Sequence, residues 1–236
     1  IDCTNPLKLS NGDDLWNFGR INYGIRSIQR ATAVSSNTGY FRLMEKVTPA
    51  ATIDMAHRLG VTADFNPYPI ITLGTDNTTP LDMASAYATF ASGGVRHDPV
   101  AITKIIGKDG TVVYDAATDG NEPTRVISEE VAGAVTKTLR TVFESSEGTA
   151  YGQPVAGKTG TGQQFTDHWL VGYAPQLSCA AWIGDRNYES TDEDLKANDL
   201  WQDFMSRALE GTEVVPFPET KDPEYKNAFN TEQKEK

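Results

Sequence analysis

The chain has 236 residues, enough to bury a full core as one large domain or two small ones, and its 39% hydrophobic and 22% charged content is that of a globular protein. A formal charge of −11 repels a phosphate backbone and argues against a nucleic-acid partner. The longest strictly apolar runs, such as Cys179–Ile183, are too short to cross a bilayer. Cys3, Cys179 and the three scattered histidines fall in no metal-ligand spacing, so no metal site is expected. A Cys3–Cys179 disulfide in an oxidising compartment and two free thiols both stay open.

In chain order, residues 1–24 are rich in Asn, Gly and aromatics and read as irregular structure packed on something larger. From Ser27 to Val47 apolar residues recur at helical spacing, interrupted by Ser35-Ser36-Asn37-Thr38-Gly39, which predicts two helices with a polar corner between them. Pro49 to Leu59 is a third helix, stopped by Gly60, and Pro80 to Ser92 a fourth, capped by Thr79 and ended by Gly93-Gly94. Val100–Ile106 and Thr111–Tyr114 read as a β-hairpin, and Ser128 to Phe143 as another helix. Three strands follow, Pro154–Thr161, His168–Tyr173 and Leu177–Gly184. Pro175-Gln176 between the last two implies an antiparallel meander. Asp199 to Leu209 closes the order as an amphipathic helix. The expected domain is 1–211, with 212–236 a flexible polar tail. The class is mixed α/β, of the α+β type, with an antiparallel sheet.

One stretch carries two meanings. Gly152, Gly157, Lys158 and Thr159 match the phosphate-binding pattern G-x-x-x-x-G-K-[ST], while Lys158-Thr159-Gly160 is also the K-T-G element of penicillin-handling serine enzymes. A phosphate loop needs a helix directly after the Lys-Thr pair, and Gly160 and Gly162 oppose one. The alternative needs a strand with small residues facing a Ser-x-Asn corner, and Ser35-Ser36-Asn37 supplies the corner.

The blocks ATAVSSNTGYFRL around Ser35, GTDNTTPLDMASAYATFASGG at 74–94 and PVAGKTGTGQQFTDHWLVGYAPQLSCAAWIGD at 154–185 resemble the transpeptidase domain of class A penicillin-binding proteins. Weaker similarity extends from Ile1 through the closing helix. The resemblance implies the penicillin-binding/serine β-lactamase-like fold and a serine D,D-transpeptidase with no cofactor. Such an enzyme cross-links peptidoglycan stem peptides ending in D-Ala-D-Ala and is acylated by β-lactams. It implies catalytic roles for Ser35, Asn37 and Lys158 and substrate binding by Thr159, Gly160 and Thr161. It also implies a membrane-anchored parent with this domain outside the cytoplasm. A D,D-carboxypeptidase or β-lactamase, and a non-catalytic β-lactam or wall-binding sensor, are the rival readings.

The departure is as informative. The family's nucleophile lies in a Ser-x-x-Lys element upstream of Ser-x-Asn, and no serine of this chain is followed three residues on by lysine. The chain opens Ile1-Asp2-Cys3 without a Met, and the expectation is a fragment, incomplete at its N-terminus. An upstream segment of the same protein then supplies the nucleophile, and the chain is inactive alone. Asp167-His168 is given no catalytic role, because strand neighbours point to opposite faces.

Overall fold

A computed structural model describes residues 1–143, 152–185, 187, 189–192, 194 and 196–224. The N-terminal segment forms a small ladder of β1 (Leu7–Lys8) with β2 (Asp14–Leu15), followed by the expected helix pair. Helix α1 is Ile28–Ala33, with Ser27 accepting from the Arg30 N–H, and α2 is Asn37–Val47. Next come α3 (Pro49–Leu59), closed by Gly60 in the left-handed region, and α4 (Pro80–Ala91), capped by Thr79.

An excursion of short elements separates α4 from the next long helix. Strand β3 (Val95–Arg96) pairs with β6 (Thr124–Arg125), and between them β4 (Lys104–Ile106) pairs with β5 (Val112–Asp115), which runs into the one-turn α5 (Ala116–Asp119). The hairpin is shorter than its apolar pattern predicts. The Ala116 N–H already begins a helix and caps the Thr103 carbonyl (2.9 Å), so Val100–Thr103 has no strand to pair with.

The long α6 (Glu129–Phe143) precedes the main sheet of β7 (Ala156–Thr161), β8 (Asp167–Ala174) and β9 (Leu177–Gly184), in spatial order β7-β8-β9 and antiparallel throughout. The last two strands are joined by the two residues Pro175 and Gln176, as expected. Helix α7 (Ala197–Ala208) packs on one face, where Trp201, Met205 and Leu209 meet Leu170, Ala174 and Ala181. On the other face Leu139 of α6 and Tyr87 and Phe90 of α4 cover Ala156 and Tyr173. Alternation along each strand supplies both faces. Close approach is enforced at Gly157, where a Cβ would lie 2.5 Å from the Val171 carbonyl.

Within the segment expected as a flexible polar tail, residues 212–222 make contacts with the domain. Buried Gln153 donates to the Thr212 hydroxyl (3.3 Å) and Glu213 carbonyl (2.9 Å) and accepts from the Val215 N–H (3.2 Å). Phe217 sits edge-on to Tyr173 with centroids 5.6 Å apart, and Lys137 pairs with Asp222 at 3.1 Å. The charged composition of the tail hid one apolar residue, Phe217, that completes the core. Residues 144–151 and 225–236, including the acidic stretch before the K-T-G element and the end of the tail, lie outside the described residues.

Candidate active site

The corner between α1 and α2 is built by its backbone first. The Ser35 N–H bonds the Thr32 carbonyl (3.0 Å) and the Ser36 N–H reaches back to the Ala31 carbonyl (2.9 Å), with Ser35 at φ 53°. These are the paired bonds of a Schellman ending, in which the left-handed position is ordinarily glycine. A serine there carries strain of roughly 1 kcal/mol. The side-chain cap of α2 is Ser36, whose Oγ accepts from the Gly39 N–H (3.1 Å). The Ser35 hydroxyl is thereby left exposed and available.

Helix α1 leans on α6, and α6 on β7, which carries the corner to the lysine strand. There the Lys158 ammonium donates to Ser35 Oγ at 3.0 Å and to the Thr159 carbonyl at 2.8 Å. Burial pushes the Lys158 amine down to about 8, because the charged form loses solvation. A near-neutral amine in contact with a hydroxyl can pass a proton or, when charged, hold an anion.

Strand β7 lies at the edge of its sheet. The Gly162 N–H bonds the Asp167 carbonyl (2.8 Å), so the alternation of an antiparallel ladder makes Gly160–Trp169, Lys158–Val171 and Ala156–Tyr173 the hydrogen-bonded pairs. The N–H and C=O groups of Gly157, Thr159 and Thr161 therefore turn outward. Lys158 takes the Thr159 carbonyl, which leaves the Thr159 N–H and both backbone groups of Thr161 facing the cleft. Gly160 lies over the Trp169 Cβ, 3.3 Å from where its own Cβ would stand. An extended peptide can add to this edge as a further strand.

The comparisons with known proteins come down on the same side. The family model described as "Penicillin binding protein transpeptidase domain" matches residues 4–205. This chain belongs to that family. It is 36% identical to "Penicillin-binding protein 1A" of Mycolicibacterium smegmatis across 90% of the chain and 31% of the relative. To the protein of the same name from Mycobacterium tuberculosis it is 35% identical, across 83% of the chain and 28% of the relative. The chain thus spans about a third of the length of these curated relatives. Among solved structures, PonA1 of M. tuberculosis in complex with penicillin V superposes with a TM-score of 0.86 at 32% identity, covering 94% of this chain and 66% of that one. The α+β fold with an antiparallel sheet flanked by helices is the penicillin-binding transpeptidase fold. The phosphate-loop pattern at 152–159 is coincidental, for Lys158 lies mid-strand and no helix starts there.

All the residues singled out from sequence lie on two elements, the corner and β7. Asn37 begins α2 and donates its Nδ2 to the Trp16 carbonyl (2.8 Å). Thr159 and Gly160 are partly buried and Thr161 is exposed at the end of β7. His168 is buried beneath Phe165, its Nε2 3.0 Å from the Thr191 hydroxyl, and it holds the 162–167 turn. Cys3 and Cys179 are both free thiols. Among the described residues no cluster of His, Cys, Asp and Glu could hold a metal, and no helix is long and apolar enough to cross a membrane.

What the sequence reading passed over is the support beneath the corner. Asn17, only 1% exposed, bonds the residues on both sides of Asn37. Its single local signal was a run of Asn and aromatic residues in a segment taken as irregular.

Proposed function

We propose that this chain is the larger part of a D,D-transpeptidase domain that cross-links peptidoglycan stem peptides by serine acyl transfer and is acylated by β-lactams. The nucleophile comes from a Ser-x-x-Lys segment of the same protein outside these residues. That serine attacks the carbonyl of the D-Ala-D-Ala bond, D-Ala leaves with a proton on its amine, and an amine of a neighbouring stem peptide resolves the acyl-enzyme. Ser35, through its hydroxyl, relays the proton to the leaving amine, and Lys158 sustains the relay and adds positive potential. With its Nδ2 held by Trp16, Asn37 accepts through Oδ1 from a substrate amide. Thr159 and Thr161 hold the terminal carboxylate, or the corresponding acid of a penicillin, by their hydroxyls. The Thr161 N–H forms half of an oxyanion hole, a donor worth about 3 kcal/mol of barrier. Gly160 lets the substrate chain lie against the strand. The complete protein is anchored in the membrane with this domain outside the cytoplasm.

The observation that carries this reading is the 3.0 Å bond between Lys158 and Ser35, 123 residues apart in sequence, beside a strand that is the edge of its sheet among the described residues. The test is cross-linking and labelling with a fluorescent penicillin. The complete protein is expected to form a covalent adduct, and this chain alone none. Lys158→Ala in the complete protein is expected to lower cross-linking on the order of 10³-fold. A normal rate in that variant would remove Lys158 from the reaction, and no cross-linking by the unaltered complete protein would leave only a binding or sensing role.

A further inference from the structure

We propose that Asn17 is a positioning residue for the serine–asparagine corner, locking the strained turn that aims Ser35 at Lys158. The inference rests on the roles proposed above for Ser35 and Asn37.

The Asn17 side chain is buried and its hydrogen-bonding capacity is used in full. Its Oδ1 accepts from the Ser36 hydroxyl (3.0 Å), the Thr38 N–H (3.1 Å) and the Thr38 hydroxyl (3.2 Å). Its Nδ2 donates to the Cys3 carbonyl (3.0 Å) and the Ile21 carbonyl (3.1 Å), and its backbone N–H donates to Asn5 Oδ1 (2.9 Å). Ser36 and Thr38 flank Asn37, and Asn37 itself bonds the adjacent Trp16 carbonyl. Residues 16 and 17 therefore grip three consecutive positions, 36 to 38, immediately after Ser35, the left-handed residue of the corner.

A strained residue persists only where its surroundings over-determine it. Ser35 meets the sheet through a hydrogen bond from a lysine on a flexible stem. The constraint has to come from the other side, and Asn17 is the buried group there. The chemistry calls for an amide in particular. One terminal group must accept from three donors on the corner and donate to two carbonyls of the N-terminal segment. Aspartate would bury a charge and lose both donors, and leucine, similar in shape, would strip the Thr38 N–H, the Ser36 O–H and the Cys3 carbonyl of these bonds, while the Ile21 carbonyl keeps Asn5 Nδ2 (2.6 Å).

A purely structural anchor would look similar in a static picture, so the test separates stability from rate. In the complete protein, the acylation step with a fluorescent penicillin would be measured by stopped flow and normalised to folded protein. Thermal melting of the same samples runs alongside. Asn17→Ala is expected to slow acylation about 100-fold, the scale of a misplacement near 1 Å. Thr38→Val, which keeps the shape and removes one of the three bonds to Oδ1, is expected to slow it about fivefold. Combined with Asn17→Ala it should add nothing further, since its partner is already gone. Unchanged acylation per folded molecule in Asn17→Ala overturns the proposal. Should that variant fail to fold, an unchanged rate in Thr38→Val overturns it equally. The unaltered complete protein and Lys158→Ala are the controls: no acylation of the unaltered protein would mean that the proposed function itself has failed. Loss with Lys158→Ala but not with Asn17→Ala would sink only the positioning role.

Discussion

The two sides of the cleft are held by different physics. On one side Lys158 sits in a strand whose position is set by six register pairs with β8 and by apolar packing on both faces of the sheet. Backbone hydrogen bonding of that kind tolerates most side chains, so the strand side depends on pattern. On the other side Ser35 occupies a left-handed turn held by side-chain hydrogen bonds to a segment 19 to 21 residues earlier. That side depends on particular residues. The lesson is that the strand should yield gradually to substitution and the corner abruptly, and that each side keeps its reactive group at some expense in stability.

The expense is largest at Lys158. Its amine is pushed down to about 8 from 10.5 by burial. Between those values the unfolded chain holds a proton that the folded chain has released, so the lysine's contribution to stability rises with pH across that window. Below pH 8 both states are charged and the folded state carries the full cost, up to about 3 kcal/mol at 1.36 kcal/mol per pH unit. Tyr173, pushed up to about 12 by burial, works the other way once pH passes 10, since the unfolded phenol ionises first. Urea midpoints of the complete protein and of Lys158→Met isolate the lysine. The variant is expected to be the more stable at pH 7, with the gap closing toward pH 10. Affinity for a carboxylate-bearing penicillin should fall over the same range as the ammonium is lost. A gap independent of pH would mean that Lys158 is solvated and that the strand side carries no such cost.

Much of the strand side was legible in the sequence, and the reasons are local. Small residues at Gly157 and Gly160, the strand expected at His168–Tyr173 and a two-residue turn at Pro175-Gln176 all act within a few positions, and the lysine could be placed mid-strand from them. The corner was legible only in outline. Ser35-Ser36-Asn37 breaks a helical pattern, but which serine caps α2 and which faces the sheet depends on a carboxamide 19 residues away, and no periodicity reports such a contact. The contacts of the tail were hidden for a related reason. Its charges dominate its composition, while its attachment rests on Phe217 and on the buried amide of Gln153. Phe217→Ala tests how far the strand side extends. Removing the ring from its place against Tyr173 should lower stability by about 2 kcal/mol, less than for a fully buried phenylalanine because Phe217 is partly exposed. The loss would appear as a lower midpoint with an unchanged denaturant slope. A midpoint that does not move would return 212–222 to the status of an appendage.

The smallest expected effect is the most direct reading of the corner. Glycine at position 35 removes the penalty that a β-carbon meets at φ 53°, and it removes the hydroxyl as well. Alanine removes the hydroxyl and keeps the penalty. Both variants lose the bond from Lys158, so that loss cancels when the two are compared. What remains is turn strain set against the greater chain entropy of glycine in the unfolded state. The left-handed geometry puts Ser35→Gly ahead of Ser35→Ala by about 1 kcal/mol in the midpoint of a thermal or urea transition. Both are expected to lose the proton relay, so the more stable of the two should still acylate slowly. A pair of variants with equal stability would mean that the turn relaxes to an ordinary conformation in solution. In that case Asn17 has nothing strained to hold, and the contrast between a corner that demands particular residues and a strand that demands only a pattern disappears.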